Sequence, residues 1–191
     1  MRRWDIVNTL IEKINAKKYL EIGIANNENF SKINCDYKVG VDPDKNVECT
    51  YNVTSNEFFA NNTEIFDVIF IDGLHHASQV YEDIQNSLNC LSNNGYIICH
   101  DMSPTKEIIQ RVPRETDEWT GDCWKAWIKF RMENENLNMF VVDTDYGCGV
   151  ISRGNQDLLS ITTDITYNNL DNNRETWLNL ISIEEFKECL G

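Results

Sequence analysis

The stretch FDVIFIDGLHHASQVYEDIQNSLNCLSNNGYIICHDM, from Phe66 to Met102, decides the fold. Two short apolar runs, Val68 to Ile71 and Tyr96 to Cys99, each stop at a cluster of acid and histidine. Runs of that length, rich in β-branched and aromatic residues, read as buried strands. Between them Ala77, Val80, Tyr81, Ile84, Leu88 and Leu91 recur at three- and four-residue steps. That spacing makes one face of a helix apolar, and Asn93-Asn94-Gly95 is expected to end it. Strand, helix, strand is a parallel crossover unit, and open parallel sheets bind ligands beyond the carboxyl ends of their strands. Asp72, His75, His100 and Asp101 are therefore expected to converge at one edge of the sheet.

Upstream, a first helix is expected with Asp5 as its N-cap and Ile6, Val7, Leu10, Ile11 and Ile14 on its buried side. Tyr19 to Gly23 reads as a short strand closing in a glycine turn, followed by a short helix around Asn29 to Asn34. A second strand, Tyr37 to Val41, stops at Asp42-Pro43-Asp44; a fainter third, Val47 to Val53, leads into a helix from about Ser55 to Ala60. Downstream, periodicity is lost between Ser103 and Gly121, and long loops at that edge of a sheet commonly act as lids or binding elements. Asp122 to Met132 recovers a helical pattern, and Met139 to Asp143 and Gly147 to Ser152 flank Thr144-Asp145-Tyr146 as an antiparallel hairpin. The tail adds a helix near Arg174 to Leu180 and a last one opened by Ser182-Ile183-Glu184-Glu185, which has capping-box spacing.

The whole implies an α/β chain with a single domain over residues 1–191: a core of about 19–152 and a helical tail of 155–191. Its sheet is expected to be seven-stranded and mostly parallel, with helices on both faces and a C-terminal antiparallel hairpin. A hydrophobic content of 41% is enough for an ordinary core at this length. With 17 basic against 31 acidic residues the net charge is −14, which argues against a nucleic-acid partner, because phosphate contacts need a basic surface. Seven cysteines form no C-x-x-C pair, and Cys90, Cys99 and Cys148 fall in apolar patterns, so they read as reduced, buried fillers. Met1-Arg2-Arg3-Trp4-Asp5 turns straight into an amphipathic helix, so no membrane partner and a cytoplasmic location are expected; a homo-oligomer is left open.

The order helix, strand, glycine turn, strand ending in acid is shared by NAD-dependent and S-adenosylmethionine (SAM)-dependent enzymes. Gly23-Ile24-Ala25-Asn26-Asn27-Glu28 lacks the second and third glycines that let a backbone approach a pyrophosphate. Glu21 would repel a phosphate-bearing ligand, whereas a cationic sulfonium tolerates it. These residues resemble class I SAM-dependent methyltransferases. Glu21-Ile22-Gly23 resembles their first motif, and Asp42 the acid that accepts hydrogen bonds from the ribose hydroxyls. Phe66 to Asp72 resembles their fourth-strand motif, and the hairpin resembles their antiparallel last strands. The resemblance spans Tyr19 to Ser152, with Asn27 standing where the family commonly has glycine. It implies a Rossmann-like methyltransferase fold with SAM held by Glu21, Gly23, Asp42 and Asp72.

Methyl transfer to a hydroxyl requires the acceptor to lose a proton, which a general base or a divalent cation can assist. Asp72-Gly73-Leu74-His75, followed by Asp101 after the next strand, resembles metal-dependent small-molecule O-methyltransferases, particularly the macrocin type that methylates sugar hydroxyls. That resemblance implies Asp72 and Asp101 as Mg²⁺ ligands and His75 as the base, with Asp72, His75 and Asp101 as the catalytic set. Some relatives carry a second acid or amide beside the fifth-strand aspartate, where this chain has His100 before it and Met102 after it. Trp119, Asp122, Trp124 and His100 are candidates for substrate contact, although Trp124 and Trp127 also fit the core face of a helix with Asp122 as its N-cap. The expected function is SAM-dependent O-methylation of a small hydroxylated molecule, with a sugar or sugar nucleotide leading. The alternatives are an NAD(P)-dependent oxidoreductase and a catalytically silent methyltransferase-like interaction module.

Overall fold

The computed structural model describes residues 1–189; Leu190 and Gly191, the end of the expected tail, lie outside the described residues. The apolar runs become β1 (Lys18–Ile22), β2 (Tyr37–Val41), β3 (Phe66–Ile71), β4 (Leu91–Cys99), β5 (Leu137–Val142), β6 (Cys148–Arg153) and β7 (Leu180–Ile181). They form one sheet in the order β2-β1-β3-β4-β6-β5-β7. The neighbours β2-β1, β1-β3 and β3-β4 are parallel, β4-β6 and β6-β5 antiparallel, and β5-β7 parallel. Because β1, β3 and β4 run the same way, Ile22, Ile71 and Cys99 end at one edge, and the acids and histidines that follow them are delivered there.

Seven strands are present, but not the seven expected. Val47 to Val53 supplies only an isolated parallel bridge, Tyr51 beside Val41. Backbone bonds from Tyr51 to Gly40 and from Asp42 to Tyr51 hold it at one point, and Asn52 ties the preceding segment into a turn through the Asp44 and Val47 carbonyls instead of a longer ladder. The seventh strand is instead β7, two residues of the tail against β5, so the hairpin β5–β6 is not the last element of the sheet. The helix between β3 and β4, α3 (Ala77–Asn89), stops before Asn93-Asn94-Gly95, which lies inside β4 as an irregularity. Register there jumps from Phe66 opposite Leu91 to Val68 opposite Tyr96. Gly95 is required because a Cβ would come within 2.7 Å of the Asp67 carbonyl oxygen.

Helices cover both faces. On one, α2 (Ser55–Asn61), α3, α4 (Cys123–Glu133) and α5 (Tyr167–Leu178) bury Phe58, Val80, Ile84, Trp124, Trp127 and Trp177 against the sheet. On the other, α1 (Arg3–Ile14) and α6 (Ile183–Glu188) contribute Ile6, Val7, Leu10 and Phe186. The expected capping box at Ser182 is formed. Asp5 is not the N-cap of α1: Arg2 occupies that position, and Asp5, three residues on, accepts the Arg2 backbone N–H at 2.8 Å. All seven cysteines are free, and Cys90, Cys99, Cys123 and Cys148 are buried. Among the described residues no helix is long and apolar enough to cross a membrane.

Trp127 ties the sheet to the tail. Its indole packs over Gly149 of β6, where a Cβ would come within 2.5 Å of the ring, and its Nε1–H donates to the Leu178 carbonyl at 3.1 Å. Trp127→Ala removes a wholly buried ring together with that bond, and urea denaturation is expected to show a loss of about 3–5 kcal/mol.

Candidate active site

The loop after β1 builds one half of the site. Gly23 has φ +88°, and a Cβ on it would stand 2.1 Å from the Asp72 carbonyl oxygen, so only glycine allows the ends of β1 and β3 to meet. Asn27 takes φ +63°, the left-handed conformation that a glycine adopts freely and asparagine tolerates best among other residues. Asn27 therefore takes the turn conformation that a glycine would supply at this position. Asp42 then fastens the loop to β2. Its Oδ2 accepts the Ile24 and Ala25 backbone N–H groups, both at 3.0 Å, and its Oδ1 accepts that of Asp44 at 2.9 Å.

A cavity of about 370 Å³ opens between these strand ends, lined among others by Gly23, Asp42, Pro43, Ser55, Asp72 and Gln79. No phosphate cradle of consecutive glycines borders it. Glu21 does not line it. That side chain is buried beneath the loop, where its carboxyl accepts hydrogen bonds from the Tyr19 hydroxyl and, at 2.9 Å, from Asn29 Nδ2. Thr54, beside the cavity, caps α2, while Asn52 is turned to the Asp44 and Val47 carbonyls.

The other half lies one strand over. His75 Nε2 is 3.2 Å from Asp72 Oδ1, and its Nδ1 is 3.2 Å from both Asp101 Oδ2 and the Trp119 carbonyl oxygen. One ligating atom each from Asp72, His75 and Asp101 all lie within 4.8 Å of one another, so the two carboxylates could share a divalent cation with the imidazole beside them. Asp101 holds φ +65°, a conformation a non-glycine residue keeps only when its surroundings impose it. The β5–β6 turn does so: Met102 N–H donates to Gly147 at 3.0 Å and Ser103 N–H to Tyr146 at 2.7 Å.

His100 sits behind the carboxylates, with Nδ1 3.2 Å from Asp101 Oδ1 and 3.4 Å from Asp72 Oδ1, and Nε2 3.8 Å from Asp145 Oδ2. Neither ring nitrogen has a partner in good hydrogen-bond geometry, so its interaction is that of a charge caged by acids. Burial opposes the cation, yet Asp72, Asp101 and Asp145 raise the His100 pKa well above its ordinary value. Burial likewise opposes protonation of His75, but Asp72 and Asp101 raise it. The reverse holds for Asp72: burial would raise it, and His100 and His75 hold it below the ordinary carboxylate range.

The remaining candidates are engaged elsewhere. Trp124 is wholly buried, its Nε1–H donating to Gln110 Oε1 at 3.2 Å, which leaves no face for a substrate. Asp122 stands at the N-cap position of α4, as expected, but its side chain accepts the Ala77 N–H at the start of α3 at 2.7 Å rather than an amide of α4. Trp119 stacks on the His75 ring, centroids 5.2 Å apart at 24°, and so borders the Asp72–His75–Asp101 cluster from the 103–121 loop. Arg3 and Asp145, which the sequence places only at the start of the first helix and in the hairpin turn, complete the cluster. Asp145, whose side chain is 4% exposed, accepts Arg3 N–H at 3.1 Å and Arg3 Nη1 at 3.3 Å. Residue spacing carries no signal for that pair, which is 142 positions apart.

A family model described as a methyltransferase domain matches residues 25–102. Solved structures share the architecture: an O-methyltransferase from Bacillus cereus in complex with S-adenosylhomocysteine (SAH) has TM-score 0.59 at 13% identity, covering 78% of this chain and 79% of that one. The fold is that of a methyltransferase. Cofactor-bound Rv0187 from MTB gives TM-score 0.61 at 14% identity, with 82% of each chain covered. TomG from Streptomyces achromogenes, an O-methyltransferase of tomaymycin synthesis in complex with SAM, gives 0.58 at 12%, with 78% of each covered. No curated protein matches the chain in sequence. Family model and fold together support a SAM-dependent methyltransferase.

Burial pushes the Glu21 carboxyl up from 4.5 to about 7 against the opposing hydrogen bonds of Tyr19 and Asn29. The folded protein therefore keeps a proton that the unfolded chain releases, and the resulting stability is full below pH 4.5 and lost as the pH rises to about 7. Glu21→Gln cannot ionise, so its stability measured by urea unfolding is expected to fall less across that window, by up to ~3 kcal/mol.

Proposed function

We propose that this protein transfers a methyl group from SAM to a hydroxyl of a small molecule, a sugar or sugar nucleotide, with Mg²⁺ assisting. The observation that carries the reading is the convergence of Asp72, His75 and Asp101 within 4.8 Å, beside a cavity bordered by Gly23 and Asp42. That cavity suits an adenosyl ligand without phosphates: the carboxylates of Asp42 and Asp72 border it, and its lining has no glycine-rich run to cradle a pyrophosphate. Gly23, Asp42, Ser55 and Asp72 would hold the cofactor, with Glu21 supporting the loop from below. When bound, SAM supplies an electrophilic methyl on a sulfonium. A divalent cation held by Asp72 and Asp101 would lower the pKa of an acceptor hydroxyl and orient its oxygen.

His75 is the group that would take the proton. A carbonyl can only accept, so the contact with Trp119 O requires a proton on Nδ1 and leaves Nε2 as the basic nitrogen. Stacking on Trp119 fixes the plane of the ring. Burial opposes protonation of His75 while the two flanking carboxylates favour it, and a divalent cation on those carboxylates would offset their pull and favour the neutral imidazole that a base requires. His100 and Arg3 offset part of the acidity beneath, which permits three carboxylates to stand this close. A sugar is favoured over an apolar acceptor because the side chains facing the edge are carboxylates and imidazole, groups suited to hydroxyls, with the Trp119 ring as a stacking surface.

Turnover with a panel of sugar nucleotides and labelled SAM is expected to be abolished by EDTA and restored by Mg²⁺. Asp72→Ala and Asp101→Ala should remove it, and unchanged turnover in both variants rules out the metal. His75→Gln is expected to lower kcat about 100-fold or more while leaving SAH affinity, read by calorimetry, unchanged.

A further inference from the structure

We propose that Asp83, on the buried face of α3, is a positioning residue for the wall of the Gly23–Asp42 cavity, and that its ionisation sets how tightly the cavity holds its ligand. The inference rests on the reading of that cavity as the SAM site. Asp83 is 1% exposed, on a face of α3 that it shares with Val80 and Ile84, and the chemistry at the Asp72–His75–Asp101 edge does not use it. A carboxyl in such a place is costly unless it is hydrogen-bonded. Its partner stands one turn back: Gln79 Nε2 donates to Asp83 Oδ1 at 3.0 Å. The same nitrogen faces Asn56 Oδ1 at 2.9 Å and Ser55 Oγ at 3.2 Å, at the start of α2. Gln79 and Ser55 both line the cavity, so a carboxyl set behind the wall holds two side chains of the wall itself.

This arrangement belongs to the ionised acid. Gln79 Nε2 has two hydrogens for three acceptors, and a carboxylate is the strongest of them, which fixes the carboxamide with its nitrogen toward Asp83 and α2. Asn56 is held in turn, its Nδ2 donating to Glu82 Oε2 at 3.2 Å. A proton on Asp83 makes one of its oxygens a donor and the other a weaker, neutral acceptor. The new O–H needs an acceptor, and Gln79 and Ser55 supply one only by reorienting. Burial pushes the Asp83 carboxyl up to about 6 against the hydrogen bonds of Ser55 and Gln79, which brings the change close to neutral pH. Glu82, beside it on α3, adds to the rise; the Cys99 thiol of β4, itself pushed up by burial, faces it from the sheet; and Ser55 and Asn56 of α2 carry no charge. The ionised form presents the wall in its binding shape, so affinity follows the ionised fraction, and one pH unit below the midpoint about one molecule in ten is competent.

Calorimetric titration with SAH across this pH range, in wild type and in Asp83→Asn, separates this role from a structural one. The variant keeps the size and an accepting oxygen but cannot ionise, and the ratio of the two dissociation constants removes what Glu21 and the histidines contribute to both. That ratio, wild type over variant, is expected to rise about tenfold as the pH falls from about one unit above the midpoint to about one unit below it. A ratio that stays constant overturns the proposal. Gln79→Leu keeps Asp83 and removes the group that responds to it: its SAH affinity is expected to lack the step, and a step retained there overturns the proposal even if Asp83→Asn fails to fold. A wild-type protein that binds SAH at no pH overturns the SAM reading itself, and this inference with it.

Discussion

The backbone contact between Gly23 and Asp72 governs the rest of the molecule. At a distance where a Cβ would come within 2.1 Å of the Asp72 carbonyl oxygen, the turn after β1 lies directly against the turn after β3. The Asp72 N–H donates to Ile22 at 2.8 Å, which extends the parallel ladder to the last residue before the turn. Two consequences follow from this closeness. The cavity opens beside this junction, and Asp72 belongs to both halves of the site, lining the cavity and meeting His75 through its carboxylate. A bulkier residue at 23 would separate the two and leave a cavity with no chemistry beside it.

Charge sets the second constraint. Three carboxylates, Asp72, Asp101 and Asp145, gather around two imidazoles and one guanidinium in a region largely closed to water. Unpaired, such acids would be costly to bury, and the protein meets that cost by caging His100 and by bringing Arg3 across from α1. The first helix is thereby fixed to the acidic edge as well as to the apolar face of the sheet. The Thr144 hydroxyl, which donates to the Met1 carbonyl at 2.7 Å, closes the same junction.

Much of this was legible in the sequence, because period-two and period-3.6 patterns state where strands stop, and the chemistry follows the stops. Glu21, Asp42, Asp72 and Asp101 could be placed at successive strand ends on that ground alone. What escaped was long-range or very short. Two residues of β7 make no pattern, and Asn93-Asn94-Gly95 has the composition of a helix stop although a bulge in a strand uses the same residues. Trp124 and Asp122 carry the composition of a sugar site, yet packing places one in the core and turns the other into a cap for α3. The Arg3–Asp145 pair joins opposite ends of the chain, where no local period reaches.

We take the Gly23–Asp42 cavity and the Asp72–His75–Asp101 edge to be two halves of one site. A crystal structure of the protein soaked with SAH and Mg²⁺ tests it most directly. The account requires the ligand in the cavity between Asp42 and Asp72, its sulfur facing His75, and a cation contacting both Asp72 and Asp101. Ligand density on another face of the sheet, or an empty cavity at saturating ligand, would contradict it.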